Sequence, residues 1–139
     1  MVKKYLLSLL IFTLAITACS AGNESASLLG PWNLTSFGPA ASPTPAVADA
    51  EAGLTFNEDG TVTGNSGCNS FGGNYKVEDD KITFDQITST LMACDEARMT
   101  QESAVHQVLT DTATFKIAGN MLTITNNDMA LVLTKASYP

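Results

Sequence analysis

The chain has 139 residues, and its 7 Lys and Arg against 14 Asp and Glu give a formal charge of −7 at pH 7. That length suits one domain of ordinary size. Hydrophobic residues make up 45% of the chain and charged residues only 15%, which excludes a disordered acidic protein. The acidic balance predicts no nucleic-acid partner, because binding to phosphates needs a clustered basic surface.

The chain begins with a segment typical of an export leader. Lys3 and Lys4 precede an apolar run over residues 5–16. This run is shorter than the roughly 20 residues that a membrane span requires. A basic start followed by a short apolar run indicates a secretory signal peptide, which we place at residues 1–18 and exclude from the folded domain.

Cys19 follows this leader directly. The preceding Ile16-Thr17-Ala18 and Cys19 itself resemble the bacterial lipobox, in which an aliphatic residue and two small residues precede the cysteine. The resemblance implies that Cys19 is acylated and becomes the first residue of the mature protein; a plain secreted protein is the alternative. Two or three acyl chains make a stable anchor. The membrane is therefore a predicted partner, and residues 19–27 are the lipidated N-terminus with a flexible tether.

The location that follows is the cell envelope. Ser20, directly after the lipidated cysteine, resembles an outer-membrane sorting signal. In a Gram-negative host, this resemblance implies the periplasmic face of the outer membrane.

From residue 28 onward, short runs alternate apolar and polar side chains, as half-buried strands do. The alternating apolar pairs are Trp32 and Leu34, Leu54 and Phe56, Tyr75 and Val77, Phe115 and Ile117, Leu122 and Ile124, and Leu131 and Leu133. Turn residues such as Asn57-Glu58-Asp59-Gly60 separate them. The pattern predicts a mainly β domain over residues 28–135, in which about eight antiparallel strands form a meander that closes into a small barrel.

One segment has the spacing of a helix rather than a strand. Over residues 95–109, the apolar side chains are Met99, Val105, Val108 and Leu109. The steps of three from Val105 to Val108 and of four from Val105 to Leu109 predict a single amphipathic helix that packs on one opening or face of the sheet. Asp95 and Glu96 lie at its start, where carboxylates accept hydrogen bonds from the exposed amides of the first turn and stabilise the positive end of the helix dipole.

Residues 38–53 differ from the rest because they contain three prolines among small residues. Proline lacks the amide donor and restricts φ, so this segment is neither a central strand nor the interior of a helix. We predict a long loop.

Residues 64–75 read Gly-Asn-Ser-Gly-Cys-Asn-Ser-Phe-Gly-Gly-Asn-Tyr, with four glycines among the first ten. This stretch resembles the META/HslJ domain family, in which a strand runs into a Gly-Cys-Asn turn and on to Gly-x-Tyr. Residues 29–34 match the family's opening Leu-Gly-x-Trp-x-Leu, and residues 90–94 match its Thr-x-Met-x-Cys block. Glu102 falls where the following helix usually has Glu. The resemblance covers residues 28–134.

The resemblance implies an envelope or periplasmic protein linked to heat or antibiotic stress, and it implies no catalytic activity. Two positions depart from the family pattern. Leu91 stands where relatives often have Arg, and Ser70 stands where they often have Arg or another polar residue. A ligand that needs a basic residue at either position is therefore not implied for this chain.

The chain has three cysteines, and lipidation of Cys19 leaves Cys68 and Cys94. An oxidising compartment favours a disulfide between them. A loop of that size contributes about 3.5 kcal/mol by the chain-entropy estimate. Two unpaired buried thiols and a redox-active pair are the alternatives. Acidic Asp95 and Glu96 beside Cys94 oppose thiolate formation, which weighs against a redox pair.

No metal or other cofactor is predicted. His106 is the only histidine, and Glu102 alone is a possible co-ligand at helical spacing, whereas a zinc site needs three or four ligands. The acidic turns lack the ligand spacing of a calcium-binding loop, and the sequence contains neither a nucleophile elbow nor a nucleotide-binding loop.

Polar residues around the Gly-Cys-Asn turn form the candidate ligand site. We predict that Asn69, Thr90 and Glu102, with Asn65 and Asn74, converge at one end of the barrel and bind a small or peptide-like ligand. The alternative is that the asparagines satisfy the backbone of the turn, as they commonly do.

Three functions follow from these observations. The first is a lipid-anchored, non-catalytic envelope protein that supports stress tolerance by binding or scaffolding, with an envelope protein or small ligand as its partner. The second is a carrier of a small ligand or peptide in the barrel interior. The third is a redox-active envelope protein. A filled interior favours the first, a large cavity the second, and an accessible thiol with a depressed pKa the third.

Overall fold

The structure, a computed structural model, describes residues 28–137. Within them the elements are β1 Gly30–Pro39, β2 Thr44–Pro45, β3 Gly53–Phe56, β4 Thr61–Asn65, β5 Ser70–Glu78, β6 Lys81–Ser89, α1 Glu96–Val108, β7 Thr112–Ala118, β8 Met121–Asn126 and β9 Met129–Lys135. The predicted leader 1–18 and tether 19–27, including Cys19, lie outside the described residues. Within residues 28–137, no helix is long and apolar enough to cross a membrane.

The strands form an antiparallel meander that closes on itself. From β3 to β9 each strand pairs with the next, β3 also pairs with β1, and β9 returns to β1 with Leu34 opposite Leu133. In the described part of the chain, eight strands complete this barrel and β2 is added along the edge of β1. The predicted fold class, mainly β with one helix and a closed meander, is confirmed.

The sequence predicts that the proline-rich segment 38–53 is a long loop, but part of this segment forms β-strand. Strand β1 continues as far as Pro39, and Thr44–Pro45 forms the short strand β2 opposite Ser36 and Phe37. The physical reason is that β2 is an edge strand, where the missing amide of a proline costs no internal ladder bond. Proline excluded a central strand but not an edge strand.

Apolar side chains fill the barrel interior with the predicted period of two. Among the largest fully buried side chains are those of Trp32, Phe56, Ile82, Leu122 and Leu131. A small internal hollow remains, lined mainly by Leu34, Leu54, Phe71, Val105, Leu131 and Leu133. It holds about 10 Å³, roughly the room that one water molecule needs. The barrel interior around this hollow is therefore closely packed.

Helix α1 lies over one end of the barrel and packs on β9, β1 and β8. Asp95 is its N-cap and accepts a hydrogen bond from the Arg98 amide, as its position predicted. The buried residues of the helix are Gln101, Glu102, Ala104, Val105 and Val108. Met99, predicted to be on the apolar face, is only half-buried. The covered face therefore carries two polar side chains that the apolar spacing did not indicate.

The opposite end of the barrel is closed by apolar groups before the start of β1. Leu28 is fully buried, and its carbonyl accepts a hydrogen bond of 2.7 Å from Trp32 Nε1. Lys135 Nζ lies 4.4 Å from the centroid of the Trp32 ring and donates to the Leu29 carbonyl. The chain therefore enters the barrel at the end away from α1.

Strand β6 is longer than predicted and contains a bulge. The pairing with β5 slips between Gly72 and Asn74, so Gln86 and Ile87 together oppose Gly73. Gln86 has a φ of 54°. A Cβ on Gly73 would lie 2.8 Å from the backbone carbonyl oxygen of Asp85, which cannot move aside as a side chain can, so only glycine fits opposite the bulge. The bulge lies beyond the end of the pairing between β6 and β7, because the last pair joins Thr83 to Thr112, the first residue of β7.

Candidate functional site

Asn69 is the centre of a buried hydrogen-bond network at the α1 end of the barrel. It lies in the turn between β4 and β5 and is 1% exposed. Its Oδ1 accepts from Thr90 Oγ1 at 2.8 Å and from the Met92 amide at 2.7 Å. Its Nδ2 donates to the Met92 carbonyl and to Glu102, each at 3.0 Å. Because an amide side chain has two donors and two acceptor positions, Asn69 is fully engaged.

Glu102 supplies the negative charge of this network from α1. Its Oε2 accepts from Ser66 Oγ at 2.6 Å and from the Asn69 amide at 3.1 Å. Burial by itself raises the pKa of Glu102, but the hydrogen bonds from Ser66 and Asn69, helped by nearby His106, outweigh it and hold the pKa below its ordinary value. Glu102 is therefore ionised at neutral pH and acts as an acceptor, not as a proton donor.

Gln101 and Ser66 extend the network, and the sequence prediction missed both. Gln101 Nε2 donates to the Ser66 carbonyl at 2.6 Å, and its Oε1 accepts from the Val47 amide at 2.8 Å. Both residues are fully buried. The available signal was the spacing of Gln101 from Val105 and Val108, which places it on the same helix face as those apolar residues.

A disulfide joins the same two segments as Asn69. Cys68 and Cys94 are bonded at 2.07 Å, with their Cα atoms 6.0 Å apart. The predicted pair is therefore present, and Cys68 is only 7% exposed. Together, the disulfide and Asn69 hold the turn before β5 to the loop that precedes α1.

The structure brings together three of the predicted ligand-site residues, Asn69, Thr90 and Glu102. Asn65 lies beside them, and its Oδ1 accepts from the Gly67 amide at 2.6 Å, so it satisfies the turn backbone. The prediction was wrong for Asn74, which is exposed on β5 opposite Asp85. An extended strand rises roughly 3.3 Å per residue, which carries Asn74 well away from the turn.

The polar groups around Asn69 and Glu102 form their hydrogen bonds with one another and with the nearby backbone. Across residues 28–137, every buried side-chain nitrogen or oxygen has a hydrogen-bond partner. The same part of the chain has no group of three or more His, Cys, Asp or Glu placed to hold a metal ion. The network therefore holds the turn, the loop and the helix in register. Ligand binding by Asn69, Thr90 and Glu102 stays a prediction.

The fold is shared with known proteins. The family model of the META domain matches residues 26–138. A protein from Burkholderia xenovorans, solved by NMR, is similar with a TM-score of 0.67 at 21% identity, over 99% of this chain and 100% of that one. A duf4847 family protein from Bacteroides vulgatus ATCC 8482 has a TM-score of 0.60 at 15% identity, over 85% and 100%. No curated protein matches the chain.

Proposed function

Because the chain belongs to the META domain family, we propose that it is a non-catalytic protein of the bacterial cell envelope that acts by binding or scaffolding. It is held to a membrane through Cys19, which follows a leader with a lipobox-like end. Its role is to support tolerance of heat or antibiotic stress. The Cys68–Cys94 disulfide supports an exported location, because disulfides persist in oxidising compartments.

The filled barrel is the observation that carries the scaffolding role. Pockets for small molecules are usually about 300 Å³ or larger. The hollow lined by Leu34, Leu54, Phe71 and Val105 holds about 10 Å³. A carrier that encloses its ligand in the barrel is therefore not favoured, and binding is assigned to the outer surface.

The polar side chains also support a non-catalytic role. Asn69 and Glu102 are engaged with each other and with the loop before α1. His106 is half-buried, and its ring packs edge-on against Phe71 at a centroid distance of 6.1 Å. Cys68 and Cys94 are joined to each other, which leaves neither as a thiolate for redox chemistry.

The lipid anchor is tested by metabolic labelling of the full chain in a bacterial host with an alkyne-bearing fatty acid. The unaltered chain and a Ser20→Ala control are expected to carry the label and to sediment with membranes. A Cys19→Ala variant is expected to do neither. A mature, unlabelled chain recovered in the soluble fraction would contradict the anchor.

The stress role is tested by survival of a deletion strain under heat and under an antibiotic. Complementation with the unaltered chain is expected to restore survival, whereas Cys19→Ala, which leaves the folded domain unchanged, is expected to restore it only in part. Equal survival of the deletion strain and the complemented strain would remove the stress role but not the anchor.

A further inference from the structure

Strand β6 has an open edge in its second half. Its pairing with β7 ends with Thr83 opposite Thr112, followed by one hydrogen bond of 2.8 Å from the Phe84 amide to the Asp111 carbonyl. Beyond that point, residues 85–89 have a strand partner only on the β5 side within residues 28–137. An unpaired edge of this kind is a template for another extended chain.

The backbone groups on this edge can be assigned from the neighbouring pairs. The Thr90 amide donates to the Ser70 carbonyl on the β5 side. Backbone groups of successive strand residues face alternate sides, so those of Ile87 and Ser89 face the open side. Two residues thus present amides and carbonyls that a further strand would satisfy.

An exposed apolar loop continues directly from the open edge. Leu91 is 94% exposed and Met92 is 59% exposed. The loop is nevertheless held in place, because Asn69 binds both backbone groups of Met92 and the Cys68–Cys94 disulfide follows. Apolar groups on an already ordered loop lose little conformational entropy on binding, which favours a recognition role.

We propose that residues 85–93, the β6 edge surface, bind an extended segment of a partner polypeptide by strand addition. The backbone of that segment pairs with Ile87 and Ser89, and its apolar side chains cover Leu91 and Met92. This inference rests on the proposed scaffolding function and names the chemistry of its partner.

The charges of the surface select a basic segment. Asp85 stands at one end of the surface, and exposed Glu96 follows its other end, next to Asp95, whose charge is already paired with Arg98. The whole chain has 14 acidic against 7 basic residues. Charge complementarity therefore favours Lys or Arg in the partner, and it disfavours an acidic segment.

The occupant is a separate polypeptide. A lipid surface offers apolar contact but no strand of amides and carbonyls for Ile87 and Ser89. The tether joins the barrel at Leu28, before β1, and β6 lies opposite β1 in the eight-strand circuit.

The test uses the full chain, labelled with ¹⁵N in detergent micelles, and a capped peptide Lys-Val-Thr-Val-Lys-Val as the probe. The peptide is expected to shift the amide signals of residues 85–93 and to slow hydrogen exchange at Ile87 and Ser89 by about tenfold or more. The same peptide N-methylated at alternate residues is expected not to bind. Glu-Val-Thr-Val-Glu-Val is expected to bind several-fold more weakly.

Two exposed apolar residues give matched variants. Leu91→Gln is expected to weaken peptide binding by roughly tenfold, because it replaces an apolar side chain that the peptide would cover with a polar one of similar size. Met121→Gln, at a residue that is 45% exposed on β8, is expected to leave binding unchanged. A third variant, Ser89→Pro, removes the outward amide and is expected to abolish the slowed exchange at Ile87.

Four outcomes would overturn the proposal. They are no binding of the basic peptide, equal binding of its N-methylated form, slowed exchange at Ile87 and Ser89 that depends only on the concentration of the chain, and amide shifts at Leu91 produced by lipid vesicles alone. The third would identify a second copy as the occupant and the fourth a membrane. None of them affects labelling of Cys19, so failure here is distinguishable from failure of the anchor.

Discussion

The two ends of the barrel are closed by different kinds of interaction. At the end where the chain enters, Leu28 and Trp32 fill the opening with apolar groups. At the α1 end, buried Asn69 and Glu102 meet in a polar network beside a disulfide. Apolar packing is non-directional, whereas hydrogen bonds fix distances and angles. The first end therefore contributes mainly stability, and the second determines the position of the loop that carries Leu91 and Met92.

The difference has a cause in the backbone. At the α1 end, the turn before β5 leaves the sheet ladder, so its amides and carbonyls need partners from elsewhere. Glu102 and Gln101 supply them to the Asn69 amide and the Ser66 carbonyl. At the other end, the Leu28 carbonyl also needs a partner, and one hydrogen bond from Trp32 Nε1 supplies it.

Loss of Trp32 is expected to have the largest effect on stability. Trp32→Ala removes a fully buried indole, and the free energy of unfolding is expected to fall by about 3–5 kcal/mol in urea titrations. Trp32→Phe is the control, because it retains most of the apolar volume, and it is expected to cost clearly less. Equal losses for the two variants would show that the bond to Leu28, and not packing, dominates this end.

Removal of the disulfide is the next largest effect. The Cys68→Ala/Cys94→Ala double variant is expected to lose about 3.5 kcal/mol, since the unfolded chain regains the freedom of the closed loop. Thermal unfolding of this variant is compared with that of the unaltered chain with and without a reducing agent. A reductant effect that persists in the double variant would contradict the assignment to this bond.

Asn69→Ala tests the polar network alone. It leaves the Met92 backbone and Glu102 short of partners, and a loss of about 1–3 kcal/mol is expected. Hydrogen exchange at Met92 is expected to accelerate in the same variant. Asn74→Ala, at an exposed position on β5, is the matched control and is expected to stay within about 0.5 kcal/mol. If Asn69→Ala changed the free energy of unfolding as little as Asn74→Ala, the polar network would not stabilise the α1 end, and the contrast between the two ends would be lost.

The smallest expected effect is the pH dependence that Glu102 contributes at the α1 end. The pKa of Glu102 is lower in the folded protein than its ordinary value, because the hydrogen bonds from Ser66 and Asn69 outweigh burial. The stability it contributes is therefore present above the ordinary carboxyl pKa and is lost as the pH falls through the folded value. The difference in melting temperature between the unaltered chain and Glu102→Gln is expected to shrink as the pH falls from 7 to about 3. A difference that is constant with pH would exclude this linkage.

The sequence predicted the barrel well because its signals are local. Alternating pairs such as Leu122 and Ile124 face one side of a strand whatever lies beyond it, and both are fully buried. Asp95 was recognised as the start of the helix from the preferences of an N-cap, and the structure places it there. Strand β2 was missed because a two-residue edge strand has no period to detect.

The polar network could be predicted only in part. Asn69, Thr90 and Glu102 were identified, but Asn74 was included wrongly and Ser66 and Gln101 were missed. Residues close in sequence separate quickly along an extended strand, whereas Ser66 and Glu102, which are 36 positions apart, come within 2.6 Å. Such a contact depends on where α1 packs against the barrel, and no local pattern encodes that position.

The sequence by itself determined the strands of the barrel and the single helix, since the hydrophobic period acts over a few positions, and with Cys19 assigned to the anchor it left Cys68 and Cys94 as the pair. Tertiary structure alone decided that the interior is filled, that the polar residues of the turn are satisfied by α1, and that β6 separates from β7. Each of these depends on the closure of the barrel and on the packing of α1 against it, which set the spacing between residues distant in the chain. The open edge beside Leu91 is a product of that geometry.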